Sequence, residues 1–166
     1  PRSIWMMQRS VFDYALAQQA TQAGAEIWAG WPVTAIDLTS EGVTVQAHNS
    51  RGQWVGTARY LIGADGASGI SAQVAGLRPH RTIALAMELE YPYQWGNHPD
   101  LQPTIAHLEY GAVPRGYAWI FPKAHHLNIG AGVFSPTGGD PRRNPQIRQQ
   151  LKQAIRDYLD RFELPA

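Results

Sequence analysis

The residues best suited to chemistry lie in a glycine-rich turn, Gly63-Ala64-Asp65-Gly66, which follows a short apolar run. A turn of this kind at the carboxyl edge of a sheet brings backbone N–H groups and one carboxylate close to a ligand. The Asp65 carboxylate could accept hydrogen bonds from ribose hydroxyls. The glycines would let the backbone approach a phosphate with no Cβ in the way. An ordinary Asp-Gly turn is the alternative interpretation.

A second candidate site is an alternation of aromatic residues, Tyr117, Trp119 and Phe121. Side chains at every second position of a strand project from the same face, so the three rings would form one wall. Such a wall suits a flat or polyisoprenoid apolar ligand. Gly130 and Gly132 would leave room against it. A packed aromatic core is the alternative interpretation.

Neither a metal site nor a thiol nucleophile is indicated. The chain has no cysteine, which excludes disulfides, thiolates and Cys-ligated zinc. His125 and His126 are adjacent, so their side chains diverge on a strand and do not easily chelate one metal. Glu88 and Glu90 share one strand face, which we interpret as facing solvent. We assign no metal ligand, and no general acid can be named.

Composition and charge narrow the class of protein. The 166 residues are 44% hydrophobic and 16% charged, as in a soluble globular domain. A net charge of +1 with scattered basic residues predicts no nucleic-acid partner. No apolar run approaches the ~20 residues that span a bilayer, and a cytoplasmic protein is expected. The chain runs from Pro1 to Ala166, and we expect both ends to be cuts in a longer parent protein.

The first motif requires elements that hold its turn at a sheet edge. Helical spacing of apolar residues predicts a helix over residues 10–23, with Ser10 and Asp13 as a capping box. Residues 25–28 are a short strand candidate, and residues 33–58 alternate as an antiparallel meander. Residues 59–63 are predicted to be a strand buried on both faces. A short helix over residues 70–75 follows.

The second motif requires a sheet of its own. Strands are predicted over residues 82–91, 104–110, 116–122 and 126–134, with an amphipathic helix over residues 145–162. The rings of Tyr117, Trp119 and Phe121 should share one concave or buried face. The expected fold class is α/β (α+β), with a mainly antiparallel or mixed sheet and flanking helices.

The order of these features resembles a flavoprotein superfamily that includes p-hydroxybenzoate hydroxylase and the geranylgeranyl reductases. Over residues 9–77 the chain has an Arg-x-x-Phe-Asp-x-x-Leu helix, a meander and a Gly-Ala-Asp-Gly-Ala turn, in the order seen in that superfamily. The block from Tyr117 to Lys123, Tyr-x-Trp-x-Phe-Pro-Lys, is similar to one that lines the substrate cavity of geranylgeranyl reductases. No Gly-x-Gly-x-x-Gly loop for the FAD pyrophosphate occurs in the chain.

This resemblance implies two domains and two sets of site residues. Residues 1–77 would be part of an FAD-binding domain, and residues 78–166 a substrate-binding sheet domain with a C-terminal helix. The implied cofactor contacts are Arg9, Gly63, Asp65 and Gly66. The implied substrate contacts are Tyr117, Trp119, Phe121, Pro122, Lys123, Gly130 and Gly132.

The parent protein is therefore expected to be an FAD-dependent oxidoreductase that reduces C=C bonds of a geranylgeranyl-type prenyl chain, with NAD(P)H or another reductant as electron source. One alternative is an FAD-dependent aromatic monooxygenase of the same superfamily. Another is a non-catalytic module that binds an apolar ligand or a partner. The prenyl substrate implies peripheral contact with a membrane. By itself the 166-residue chain is expected to be inactive, to lack FAD and to self-associate.

Overall fold

The computed structural model describes residues 4–77, 83–135 and 144–165. Contacts divide the chain into two compact units. One comprises Ala15–Arg81, and the other comprises Pro1–Tyr14 together with Thr82–Ala166. The assignment of a cofactor domain and a substrate domain stays a prediction, because compactness does not show what a unit binds. None of the described helices has the length and apolarity needed to cross a bilayer.

The unit Ala15–Arg81 is built on the predicted meander. Strands β1 (Val33–Thr39), β2 (Gly42–Asn49) and β3 (Gly52–Ala58) pair antiparallel in chain order. The alternation along β2 buries Val43 and Ala47. A single helical turn, α2 (Ser71–Val74), lies within the predicted residues 70–75 and packs near β1.

Two predicted strands of this unit are wrong. Residues 25–28 form no strand, and the Trp28 ring packs against the rings of Trp31 and Trp54, with centroids 6.2 and 5.1 Å away. Residues 59–63 pair with no described strand, and the side chains of Tyr60 and Ile62 are 85% and 89% exposed. An apolar run becomes a buried strand only where neighbours cover both faces, and the described residues supply none.

Helix α1 (Arg9–Gln22) confirms the predicted helix, but its start differs from the prediction. The Gln8 carbonyl accepts hydrogen bonds from the N–H groups of Val11 and Phe12, so the helix begins one residue before Ser10. Asp13 does not complete a capping box, because its carboxylate is paired with Arg9. The side chains of α1 are mostly exposed, and none is buried.

The second unit contains a four-stranded antiparallel sheet. Its strands are β4 (Ile83–Pro92), β5 (His107–Tyr110), β6 (Gly116–Pro122) and β7 (His126–Ser135), in the spatial order β4-β7-β6-β5. The single predicted sheet is therefore confirmed, although β5 begins at His107 rather than at residue 104.

Helix α3 (Pro145–Arg161) covers one face of this sheet. It begins where the Asn144 side chain accepts a 3.0 Å hydrogen bond from the Gln146 N–H, with proline at the first helical position. Its apolar stripe, which includes Leu151 and Leu159, belongs to the hydrophobic core, and the helix packs against β7 and β4. The opposite face of the sheet is left for the aromatic residues.

Candidate functional site

The face of the four-stranded sheet opposite α3, called here the aromatic face, carries the predicted rings. Tyr117, Trp119 and Phe121 alternate along β6 with residues that point into the core, so all three share this face. The Trp119 and Phe121 rings stack with centroids 5.9 Å apart and planes 22° apart. The ring centroid of Tyr117 lies 5.5 Å from that of Trp119 and 6.3 Å from that of Phe134. Because Phe134 is on β7, the wall of rings extends onto that strand.

Glycines on β7 allow the indole of Trp119 to lie against the strand. Gly130 is the cross-strand partner of Trp119, and a Cβ at Gly130 would overlap the indole ring. At Gly132 a Cβ would lie 3.5 Å from the indole, an ordinary contact. The room that Gly130 leaves is therefore filled by Trp119 itself. A contact of either glycine with a substrate stays a prediction.

A chain of hydrogen bonds crosses the aromatic face beside these rings. The indole Nε1–H of Trp119 donates to Oδ1 of Asn128 at 2.7 Å. The Asn128 amide nitrogen donates to Glu88 at 3.2 Å and to Glu90 at 3.0 Å. Nε2 of His126 lies 2.7 Å from the other Glu90 oxygen. Glu88 and Glu90 are exposed, as the sequence predicted. They also accept hydrogen bonds from the buried side-chain amide of Asn128.

Sequence reasoning missed Asn128, which is the centre of this chain of hydrogen bonds. An isolated asparagine carries no motif. The signal lay in strand register, because Asn128 pairs with Phe121 on one side and with Glu90 on the other. That register could have been derived from the two predicted strands that became β4 and β7.

Pro122 is the last residue of β6, and Lys123 follows it beside the N-terminal segment of the chain. The Lys123 ammonium donates a 2.7 Å hydrogen bond to the carbonyl oxygen of Met7, which fixes the N-terminal segment to this hairpin. A groove of about 720 Å³ lies here between that segment and the sheet, and Trp5, Trp95 and Pro122 are among its lining residues. A contact of Lys123 with a substrate head group stays a prediction.

In the Gly63–Gly66 turn, the Asp65 carboxylate has a partner within its own loop. One oxygen accepts a 2.9 Å bond from the Ser71 N–H, and the other accepts a bond from the Ser71 hydroxyl. These bonds hold the pKa of Asp65 below its ordinary value, the hydroxyl contributing most. A Cβ at Gly69 would overlap the carboxylate, and one at Gly63 would overlap the Ser71 side chain.

Ser71 is a second residue that sequence reasoning missed. Ser71, in the first turn of α2, supplies its hydroxyl to Asp65 across six residues of the chain. The glycines at 63 and 69 therefore serve the packing of the loop on itself. Gly66 differs from them, because its φ of 71° favours glycine while the space around its Cβ position is open.

Arg9 presents an exposed guanidinium at the start of α1. Its Nε and Nη2 atoms donate to the Asp13 carboxylate at 2.9 Å each, and this pairing raises the pKa of Arg9. The pair is an i,i+4 contact on the helix surface. Asp13 offsets the charge that Arg9 could offer to an anionic group.

These residues fit a contact with the edge of FAD better than they fit its pyrophosphate. The Asp65 loop is exposed and Gly66 leaves open space, so a ribose or a ring edge can approach it. The carboxylate in this loop, that of Asp65, is negatively charged like a phosphate and therefore disfavours the pyrophosphate. Among the residues that the structure describes, no cluster of three or more histidine and acidic side chains could hold a metal ion.

The chain is similar to known proteins over most of its length. Residues 1–156 match the family described as FAD binding domain. Digeranylgeranylglycerophospholipid reductase of Methanococcus vannielii is 26% identical over 161 residues, which cover 91% of this chain and 40% of that protein. The reductase of the same name from Methanocaldococcus jannaschii is 30% identical over 165 residues, with 95% and 37% covered. The chain thus spans about two fifths of these curated relatives.

Solved structures show the same fold. A flavoprotein/dehydrogenase from Cytophaga hutchinsonii has a TM-score of 0.63 at 18% identity, over 96% of this chain and 40% of that one. The OxyS anhydrotetracycline hydroxylase from Streptomyces rimosus has a TM-score of 0.53 at 18% identity, over 90% and 30%. The expected fold class is confirmed. The flavoprotein family expected from the sequence is confirmed as well, and the chain belongs to the FAD binding domain family.

Proposed function

We propose that the protein containing this chain is an FAD-dependent oxidoreductase that reduces C=C bonds of a geranylgeranyl-type prenyl chain. The observation that carries the proposal is the aromatic face, where Tyr117, Trp119, Phe121 and Phe134 form a continuous wall. Relatives named digeranylgeranylglycerophospholipid reductase support the prenyl substrate.

An isolated alkene offers no polar group to bind, so its affinity comes from buried apolar area and dispersion contacts. The aromatic face supplies both, and its rings exclude water from the chain they cover. FAD, when bound and reduced, supplies the hydride. The protein contributes the orientation of the alkene.

The Gly63–Gly66 turn would contact FAD through its exposed edge. Asp65 is held in place by Ser71, so the loop is organised before any ligand arrives. Arg9 would lie near the flavin, as the family resemblance implies. The electron source would be NAD(P)H or another reductant.

The test uses the full-length protein with geranylgeraniol as substrate. The flavin is reduced chemically under anaerobic conditions, and products are analysed by mass spectrometry for the gain of two hydrogens per bond reduced. Reduced product supports the proposal, and Trp119→Ala should lower its yield while Lys152→Ala, on the exposed side of α3, should not. Reoxidation of the flavin without any reduced prenyl product contradicts it.

A flavin monooxygenase acting on an aromatic substrate is the second candidate. The stacked pairs of the aromatic face would also accept a flat ring, and this observation favours it. Oxygen uptake coupled to hydroxylation of a phenol by the full-length protein would select this candidate. Binding of geranylgeraniol with neither reaction would instead indicate a non-catalytic module.

A further inference from the structure

We propose that Asn128 is a positioning residue, which fixes the Trp119 indole and thereby sets the shape of the wall offered to the prenyl chain. The consequence for the ligand rests on the proposed function. The positioning itself can be measured without any ligand. Trp119 and Asn128 are 7% and 6% exposed, so neither exchanges its partner with water at low cost.

The chemistry of the neighbours determines the orientation of the Asn128 amide. An indole N–H can only donate, and ionised carboxylates can only accept. The bridging group must therefore accept at one end and donate at the other, which an amide does. Reversing the amide would bring its oxygen against Glu88 and Glu90 and its NH₂ against the indole N–H. The two carboxylates thus orient Asn128, and Asn128 orients Trp119.

Strand register assembles this arrangement from distant parts of the chain. Glu90 pairs directly with Asn128, and Gly130 lies between Glu88 on one side and Trp119 on the other. His126 holds the far oxygen of Glu90. With Gly130 beneath the ring and Asn128 at its nitrogen, the indole has one favoured position. Without the amide, only packing would hold the ring, and it could turn into the path of an apolar chain.

Indole N–H signals in a transverse-relaxation-optimised NMR spectrum of the full-length, ¹⁵N-labelled protein test the positioning. Trp119→Phe identifies the Trp119 signal by its loss. In Asn128→Leu this signal should move upfield and exchange faster with water, because its acceptor is gone. The matched control is Asn97→Leu at an exposed loop position, which should leave the signal unchanged. An unchanged Trp119 signal in Asn128→Leu would overturn the proposal.

Asn128→Asp supplies a signature that simple destabilisation would not give. At neutral pH it places a third carboxylate beside Glu88 and Glu90, so the Trp119 signal should shift. On acidification one carboxyl group gains a proton and can donate again, so the signal should return toward the wild-type position. His126 also faces this cluster, and the wild type measured at each pH is the reference. A shift that does not reverse on acidification would contradict the bridging role.

The affinity of the full-length protein for geranylgeraniol is measured by quenching of tryptophan fluorescence. Loss of one hydrogen bond that orients the wall should weaken binding by about tenfold in Asn128→Leu. A shifted indole signal with unchanged affinity would overturn the link between Asn128 and the ligand. If the wild type binds no geranylgeraniol, the proposed function fails, and the indole signal still decides the positioning role.

Discussion

At the scale of single residues, two glycines on β7 face the same indole at different distances and form a matched pair. A Cβ at Gly130 would overlap Trp119 and lie 2.8 Å from the Met87 carbonyl oxygen, whereas one at Gly132 has only contacts of 3.5 Å or more. We expect Gly130→Ala to lower the free energy of unfolding by about 1–3 kcal/mol, as overpacking does. Gly132→Ala should be neutral or stabilise by about 0.5–1 kcal/mol. Urea unfolding followed by fluorescence compares the two, and equal effects would contradict the geometry of this face.

The Asp65 loop gives a prediction about pH. The folded-state pKa of Asp65 is lowered, so its stabilising effect is present above the unfolded-state pKa and is lost as pH falls through the folded value. Ser71→Ala removes the larger cause, the hydroxyl, and should move the pKa of Asp65 back toward its ordinary value. Ser71→Thr keeps a hydroxyl and is the control. Carboxyl ¹³C NMR titration measures the shift, and an identical Asp65 titration in Ser71→Ala would refute this account.

At the scale of elements, local periodicity predicted most of the strands and helices. The meander, the four strands of the second sheet and α3 all followed from it, because strand alternation and helical spacing are local features of the sequence. The run at residues 59–63 was wrongly predicted to be a buried strand. A continuous apolar run forms such a strand only when neighbouring elements cover both of its faces, and the described residues provide no such cover. The role of Asn128 was missed because its partners lie on other strands, and register rather than spacing brings them together.

Helix α3 is tied to β5 by a cluster that gives a prediction at alkaline pH. Arg161 pairs with Glu109, and the buried Tyr158 lies beside both. Burial, and then the charge of Glu109, raises the pKa of Tyr158 to about 12 from its ordinary value of 10.0. A raised pKa means that the stabilising effect is complete below the unfolded-state value and is lost as pH rises through the folded value.

We therefore expect the urea midpoint to fall as pH rises from 10, the ordinary pKa of a tyrosine, toward about 12, the pKa of Tyr158 in the folded protein. Tyr158→Phe should remove part of this fall. Tyr110→Phe, at a largely exposed tyrosine, should leave it as in the wild type. The same slope in Tyr158→Phe and wild type would show that this tyrosine does not limit alkaline stability.

At the scale of the whole molecule, large apolar side chains stand exposed. Ile4, Trp5, Tyr60, Ile62 and Leu77 all expose at least three quarters of their surface. Exposed apolar side chains of this size favour association with other protein surfaces. The 166-residue chain expressed alone should therefore self-associate, and Ile62→Lys should reduce the association. Light scattering over the micromolar range measures it, and a clean monomer throughout would contradict the prediction.

The last prediction is that the chain expressed alone retains no FAD through gel filtration, although it belongs to an FAD-binding family. The pyrophosphate of a dinucleotide is ordinarily held by a glycine loop at a helix N-terminus, and no Gly-x-Gly-x-x-Gly occurs in the 166 residues. Asp65 has the same sign as a phosphate, and Asp13 offsets the charge of Arg9.

Association costs about 4–15 kcal/mol in lost translational and rotational freedom. A few contacts with one edge of the cofactor do not offset that cost, so the purified chain should be colourless. Absorbance of the eluted protein measures retained flavin, and the full-length protein purified in parallel is the control. Stoichiometric flavin on the isolated chain would mean that its own residues, or a second copy of the chain, complete the cofactor site.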